Sequence, residues 1–378
     1  MKFYMPTKVI FGPGSVGSIQ KIVEEEFPSK KYFLVTDKGV RSAGLVEKVL
    51  SPYPEIPVFD AVEQNPKHTT VNEAGRIVRE MQPDLIIGVG GGSVLDAAKA
   101  IALLAKNPGV IEDYEGKSVY KTPPLPVLAI PTTCGTGSEV TWVSVVTHTK
   151  RRFKMSIKGP HMFPAVAVVD SDLLVTLPSP LVAATGLDAL THAVEAFTVK
   201  PATPLTDLFA KNAFRLIFES LRPAFMDIKG DGTARENIMR GSMLAGVAFG
   251  NSDVGAVHCL SEAVGSLYDS AHGVTNAIFL PYVMLFNLKA SKTRYRELAS
   301  LAGVNEQNDE RAALHLVEKI KDLSELLGIP QLRDIGVNEH DFKEIAEKSF
   351  QNNSNPSNPR EVSVEGYLEI LRKTFSGS

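Results

Sequence analysis

The sequence predicts an N-terminal α/β domain built on a parallel sheet over residues 1–179, then an all-helical domain over residues 180–378. Three observations carry that expectation. Short continuous apolar runs alternate with helical stretches through the first half, the pattern of parallel strands covered on both faces. Such runs disappear from about Leu181 onward, where the chain reads as successive helices. Strand-like runs in the first half also end in glycine-rich turns that open helices, as in α/β domains that bind nucleotides.

In chain order, the strand-like runs are "TKVIF" at 7–11, "KYFLVTD" at 31–37, "DLIIGVGGGS" at 84–93, "LPVLAIPTT" at 125–133 and "AVAVVD" at 165–170. "SIQKIVEEE" and "SVLDAAKAIALLAK" (93–106) have helical periodicity. Beyond "LPSP" at 177–180, helices are expected at 181–198, 206–220, 233–250, 254–267, 274–288, 310–327, 340–349 and 364–375. A junction there would leave a cleft, a usual place for a ligand. The polar "QNNSNPSNPR" at 351–360 is expected to be a surface loop.

Composition narrows the function classes. With 378 residues, 44% of them hydrophobic, the chain can build two real cores. Lys and Arg number 40 against 43 Asp and Glu, and no basic run tracks a phosphate backbone, so nucleic acid is not the expected partner. The start "MKFYMPTKVIF" lacks the apolar core of a signal peptide, and no apolar run approaches the ~20 residues of a membrane span. The expectation is a soluble, cytoplasmic protein without a membrane partner. Two unpatterned cysteines, Cys134 and Cys259, suit that reducing compartment.

Two turns compete for a dinucleotide pyrophosphate. Gly12, Gly14 and Gly17 spell G-x-G-x-x-G between a strand and a helix, with Asp37 ending the next strand about 20 residues on, as the fingerprint requires. The other reading of that turn is a tight strand-to-helix connection. The second candidate, Gly90, Gly91, Gly92 and Ser93, follows a stronger strand and opens a stronger helix, with Ser93 expected as its N-cap, and is preferred. A third loop, "PTTCGTGSEVT" at 131–141, has the small and hydroxylated residues that line nucleotides, or is only a polar turn.

In "ATGLDALTHAVEAF" (184–197), Asp188, His192 and Glu195 fall on one face of a helix. Such a face is either a solvated polar stripe or the beginning of a ligand set. His258, on another helix, and His272, in the turn "SAHG", favour the ligand reading. Three imidazoles and one carboxylate can hold Fe(II) or Zn(II) and leave a position open to substrate. His68, His148, His161, His315 and His340 lie in charged or polar settings and receive no role.

Taken together, "PTKVIFGPGS", "VTD" (35–37), "QNP" (64–66), "GGGSVLDAAKA", "PTTCGTGSEVT", "GLDALTHAVEAF", "SAHGVTNAIFLPYVM" and "NPR" (358–360) resemble the iron-containing (group III) alcohol dehydrogenases over nearly the whole chain. The resemblance implies the fold shared with dehydroquinate synthase-like enzymes. It also implies metal- and NAD(H)-dependent hydride transfer between a small alcohol or short diol and its aldehyde or ketone. It places the metal ligands on Asp188, His192, His258 and His272 and the pyrophosphate on Gly90, Gly91, Gly92 and Ser93, which leaves Gly12–Gly17 structural. Thr132, Thr133 and Thr141 fall on the adenine side and Lys154 near the ribose. Asp37 falls where an acid receives that ribose and disfavours a 2′-phosphate, implying NAD over NADP.

Further active-site neighbours implied are Asn65, Val143, Phe249 and Ser354, with Asn65 also on the cofactor side. Glu262 departs from the pattern, because many relatives carry a histidine four residues after the third ligand. It could relay protons, ligate the metal or simply turn aside. A homodimer or higher homo-oligomer is implied as well. The competing activity is a glycerol-type dehydrogenase or a dehydroquinate synthase-like metalloenzyme acting on a polyol or phosphorylated sugar. The helical half lacks the basic cluster that a sugar phosphate needs.

Overall fold

The first half folds as strands β1 (Lys8–Phe11), β2 (Tyr32–Val35), β3 (Val58–Phe59), β4 (Leu85–Gly90), β5 (Gly116–Lys117), β6 (Val127–Pro131), β7 (Val143–His148), β8 (Phe153–Lys158) and β9 (Val166–Val169), with the β-branched and apolar runs in β1, β2, β4, β6 and β9. Between them lie helices α1 (Ile19–Glu26), α2 (Lys38–Ser42), α3 (Leu45–Leu50), α4 (His68–Met81) and α5 (Gly92–Lys106). This computed structural model describes residues 3–27, 31–53 and 55–377. It divides into two compact units, Tyr4–Leu177 and the chain from Pro178 onward, with Phe3 belonging to the second.

Six strands form a wholly parallel sheet in the order β1-β9-β6-β4-β2-β3. Alternation along the central strands feeds both faces. Leu34, Leu85, Ile87, Val89, Leu128 and Ile130 pack with α1 and α3, whereas Phe33, Val35, Ile86 and Val127 pack with α4 and α5. A second sheet, β5-β8-β7, pairs β7 with β8 in antiparallel register. Sequence reasoning did not find this hairpin, whose strands mix Ser, Thr, Lys and His with apolar residues and carry no continuous apolar run.

The helical unit contains α6 (Ser179–Thr198), α7 (Pro204–Met226), α8 (Gly232–Asn251), α9 (Ala256–Tyr268), α10 (His272–Leu301), α11 (Asp309–Leu326), α12 (Phe342–Gln351) and α13 (Val364–Ser376). Helix α6 is wrapped by α7, α8 and α10. Leu187, Leu190, Val194 and Phe197 are fully buried on it. At about 1.5–3 kcal/mol for each such side chain, that burial offsets the cost of taking the helix's polar residues out of water. No helix among the described residues is long and apolar enough to cross a membrane.

Three local expectations need correction. Ser93 is not the N-cap of α5: Gly91 occupies that position, and Ser93 lies inside the first turn. His272 begins α10 instead of sitting in a turn before it, and α10 runs on to Leu301 with Pro281 inside it. The stretch 351–360 is not a mere surface loop, for Ser354, Ser357 and Asn358 are buried. Ser354 and Ser357 both donate to Asp253, and Asn358 exchanges amide hydrogen bonds with Asn287. Polar residues fill that loop because it plugs the start of α9 with hydrogen bonds.

Candidate functional site

Within the α/β unit, Asp37, Gly90–Ser93 and Thr132–Thr133 lie at or just beyond the C-terminal ends of neighbouring parallel strands, where open α/β sheets take ligands. Gly90 ends β4, whose neighbours are β2 and β6. Loops bearing Asp37, Gly90–Ser93 and Thr132–Thr133 therefore leave adjacent strands. The glycines sit in close packing. A Cβ on Gly91 would lie 3.1 Å from Thr133 Cγ2, and one on Gly92 only 2.3 Å from Thr136 Cγ2. Thr132 N–H donates to Gly90 O at 3.0 Å and locks the two loops together.

The competing turn has its amides spent. Gly14 N–H and Val16 N–H donate to the two oxygens of Asp170, at 2.9 and 3.0 Å. Asp37 accepts Val40 N–H at 2.8 Å and so caps α2 at the end of β2. Asn65 and Lys154 meet directly, Lys154 Nζ donating to Asn65 Oδ1 at 2.9 Å, with both side chains buried. Asn65 holds a left-handed backbone at φ 52°. Val143 begins β7, and its carbonyl accepts from Lys99. Thr141 Oγ1 donates to Ser138 O.

Sequence reasoning missed the support behind these loops. Asp96 accepts Ser138 Oγ at 2.6 Å and Val145 N–H at 2.9 Å, while its neighbour Lys99 is fully buried. An Asp and a Lys at i, i+3 in the otherwise apolar 93–106 helix were the available signal. Burial pushes Glu139, beside them, up to about 7. Because the folded state then binds the extra proton between the ordinary 4.5 and about 7, stability falls as pH rises through that window. The gap bounds the effect at about 3 kcal/mol, and loss of the charge facing Lys99 takes back part of it. Glu139→Gln should therefore raise the melting temperature at pH 8 and change it little at pH 4.5. Equal shifts at both pH values in thermal unfolding would refute this account.

In the helical unit the polar face of α6 is not a solvated stripe. Asp188, His192 and Glu195 are 2%, 4% and 4% exposed. Asp188, His258 and His272 bring one ligand atom each to within 4.8 Å of one another. His192 joins from the side, its Nε2 2.9 Å from His258 Nε2 and its Nδ1 3.8 Å from Asp188 Oδ1. Phe249 stacks on the His192 ring at 4.3 Å between centroids. Gly273 lets α10 approach α6, since a Cβ there would lie 2.3 Å from Ala184 O.

Three residues support these side chains from behind, and of them sequence reasoning had placed only Glu195 on the ligand face. Glu195 accepts Val257 N–H at 2.9 Å and pairs with His258 Nδ1 at 2.5 Å, which turns His258 Nε2 toward the centre. Ser261 Oγ lies 3.2 Å from His272 Nδ1. The Asn276 amide nitrogen sits 2.6 Å from Asp188 Oδ1, 3.2 Å from His258 Nε2 and 3.1 Å from His272 Nε2. A polarised N–H₂ group drawing on three acceptors at once marks a place suited to a cation. Glu195 and Asn276 were detectable as polar residues one helical turn from a predicted ligand.

Electrostatics suits a ligand set. Burial lowers His192 to about 4, so its ring is neutral and free to coordinate. Burial also opposes charging His258, but Glu195, Asp188 and Glu262 together outweigh it and raise that ring. Glu262, one turn after His258, accepts from Asn352 Nδ2 at 2.6 Å. Ser354 is tied to Asp253.

Comparison with known proteins decides the class. An iron-containing alcohol dehydrogenase model matches residues 6–171, and the C-terminal model of the Fe-containing alcohol dehydrogenase family matches residues 182–375. This chain belongs to the iron-containing alcohol dehydrogenase family. It is 40% identical to the 1,3-propanediol dehydrogenase of Citrobacter freundii over 99% of this chain and 98% of that one. It is 37% identical to the NAD-dependent methanol dehydrogenase of Bacillus methanolicus over 99% of each. A crystal structure of a 1,3-propanediol oxidoreductase superposes with TM-score 0.95 at 39% identity, covering 99% of both chains. As an iron-containing alcohol dehydrogenase, the protein is a metal- and NAD(H)-dependent oxidoreductase that interconverts alcohols and aldehydes.

Proposed function

We propose that this protein interconverts short primary alcohols or diols with their aldehydes, using NAD in preference to NADP and a divalent metal held by Asp188, His192, His258 and His272. The carrying observation is the convergence of buried Asp188 and His258 with half-buried His272, flanked by a neutral His192. Three imidazoles and a carboxylate accept either Fe(II) or Zn(II), and family membership favours Fe(II). When bound, such an ion supplies Lewis acidity toward a substrate oxygen.

The chain's own residues set the geometry. Glu195 and Ser261 orient the His258 and His272 rings, and Phe249 covers a face of His192 against water. Gly90, Gly91, Gly92 and Ser93 receive the pyrophosphate at the start of α5, with Thr132, Thr133 and Thr141 beside the adenine. Lys154 and Asn65, joined by their hydrogen bond, face the ribose side. Asp37 repels a 2′-phosphate, which is the basis for NAD. Glu262, anchored by Asn352, serves beside the metal as a proton-relay group and not as a ligand. Val143 and Ser354 complete the proposed surroundings.

The 1,3-propanediol dehydrogenase at 40% identity supports short diols as substrates. The two cysteines, both buried and outside any disulfide, suit a cytoplasmic setting, and a homodimer or higher homo-oligomer follows from the family resemblance. The test is metal-stripped protein reconstituted separately with Fe(II) and Zn(II), assayed by NADH or NADPH formation on a panel of primary alcohols and diols. Metal-dependent turnover with NAD, fastest on a short alcohol or diol, is expected. Undiminished turnover without metal would remove the role of the four ligands, and a preference for NADP would remove that of Asp37.

A further inference from the structure

Within the α/β unit, a second set of ligand-type side chains converges, built from histidines whose sequence surroundings suggest no role. His68 begins α4, Glu112 lies in the 3-10 turn Ile111–Tyr114, and His148 ends β7. Each offers a donor atom within 4.8 Å of the other two. The two imidazoles stack with centroids 4.5 Å apart and planes 28° apart, and His68 Nε2 lies 3.6 Å from Glu112 Oε1.

The frame around them is fixed. Asn72, one turn along α4, donates Nδ2 to Glu112 Oε2 at 2.7 Å and accepts Ile111 N–H on Oδ1 at 2.8 Å. The carboxylate therefore keeps Oε1 for His68. Thr147 N–H donates to Pro66 O at 2.8 Å, which ties the end of β7 to the start of α4. Arg151, the nearby cation, is engaged by Glu115 at 2.5 Å. Both Nδ1 atoms face backbone N–H groups, of Thr149 and Arg151, at 3.4 Å. These contacts lie beyond the usual hydrogen-bond range and give way readily if the ring protons move to Nδ1 and free Nε2.

We propose that His68, Glu112 and His148 bind a borderline divalent cation of the Zn(II) class, as a clamp joining the start of α4 to the end of β7. Two imidazole nitrogens and one carboxylate oxygen, held by outer hydrogen bonds, form a set that such ions take while keeping a water on the open side. His68 is buried and His148 and Glu112 are half-buried, so the donors are partly desolvated yet reachable. The clamp lies directly behind the Asn65–Lys154 contact, because Asn65 precedes His68 by three residues and Lys154 pairs with Thr147 across the hairpin. It is separate from the α6–α9–α10 centre, which has its own ligands.

The test uses the full chain, stripped by a chelator and dialysed to equilibrium against micromolar Zn(II), with bound zinc counted per chain. His148→Ala and Glu112→Gln should each retain one equivalent fewer than the wild type. Zn(II) should also raise the wild-type melting temperature more than that of either variant. His272→Ala, run in parallel, reports the other centre, so failure there is distinguishable from failure here. If both variants retain as much zinc as the wild type, His68 and Glu112 are an ordinary hydrogen-bonded pair beside stacked rings, and the clamp is overturned.

Discussion

Gly273→Ala should cost this enzyme its metal, most of its activity and part of its stability. The added Cβ would sit 2.3 Å from Ala184 O, 2.8 Å from Ala184 C and 3.3 Å from Asp188 Cβ. Those first two atoms are backbone of α6 and cannot rotate away as a flexible side chain would. Helices α6 and α10 must separate by roughly an ångström, a form of overpacking that costs about 1–3 kcal/mol. The separation falls where it does most harm, for His272 precedes the substituted position and Asp188 lies against it. His272 Nε2 and Asp188 Oδ1, now 3.8 Å apart, would be drawn away from a common ion. A misplacement of about 1 Å can lower a catalysed rate about 100-fold. Turnover should fall by at least about that factor, and metal retained after dialysis should drop with it. Wild-type metal content and rate in the alanine variant would show that the close approach of α6 and α10 does not position the ligands.

The residue types of the proposed ligand set and their helical spacing were legible in the sequence, whereas their environment was not. Asp188, His192 and Glu195 share a face by simple periodicity, but a face can meet water or a core. That choice was made by α7, α8 and α10, which bury α6 and whose packing is long-range information. The same limit applies to 351–360, where an Asn- and Ser-rich run looks like a solvated loop. Its partners Asp253 and Asn287 lie 71 to 104 residues away in the sequence, so nothing local reveals the buried network. His68 and His148, 80 residues apart, likewise meet only through the pairing of β7 and the placement of α4. Gly90–Ser93 was chosen over Gly12–Gly17 on the strength of its strand and helix. The structure adds a different reason, that Asp170 already occupies the amides of the earlier turn. Strands β2, β4, β6 and β9 were read correctly because buried parallel strands need unbroken apolar runs, and the β7–β8 hairpin was missed because its strands do not.

Glu195→Gln should weaken metal binding by about 10- to 100-fold, the usual cost of losing an outer partner to a ligating histidine. Glu195 serves two donors at once, Val257 N–H on one oxygen and His258 Nδ1 on the other. Gly255 makes room for this arrangement, since a Cβ there would come within 3.0 Å of the carboxylate. The carboxylate keeps the imidazole proton on Nδ1, and Nε2 then presents its lone pair to the centre. Glutamine matches the volume but has a single oxygen. If that oxygen stays on Val257 N–H, the amide N–H₂ faces Nδ1 and drives the ring proton to Nε2, the atom needed for the metal. If the amide flips, two N–H groups confront each other at the start of α9, a buried clash worth about 1–3 kcal/mol. Either outcome penalises the bound state, while NAD affinity, which we assign to the α/β unit, should be unchanged. Metal titration of the stripped variant and a separate NAD titration distinguish this from general damage. If both affinities fall together, Glu195 is a core residue whose loss loosens the fold, and if neither falls, the ring orientation is set elsewhere.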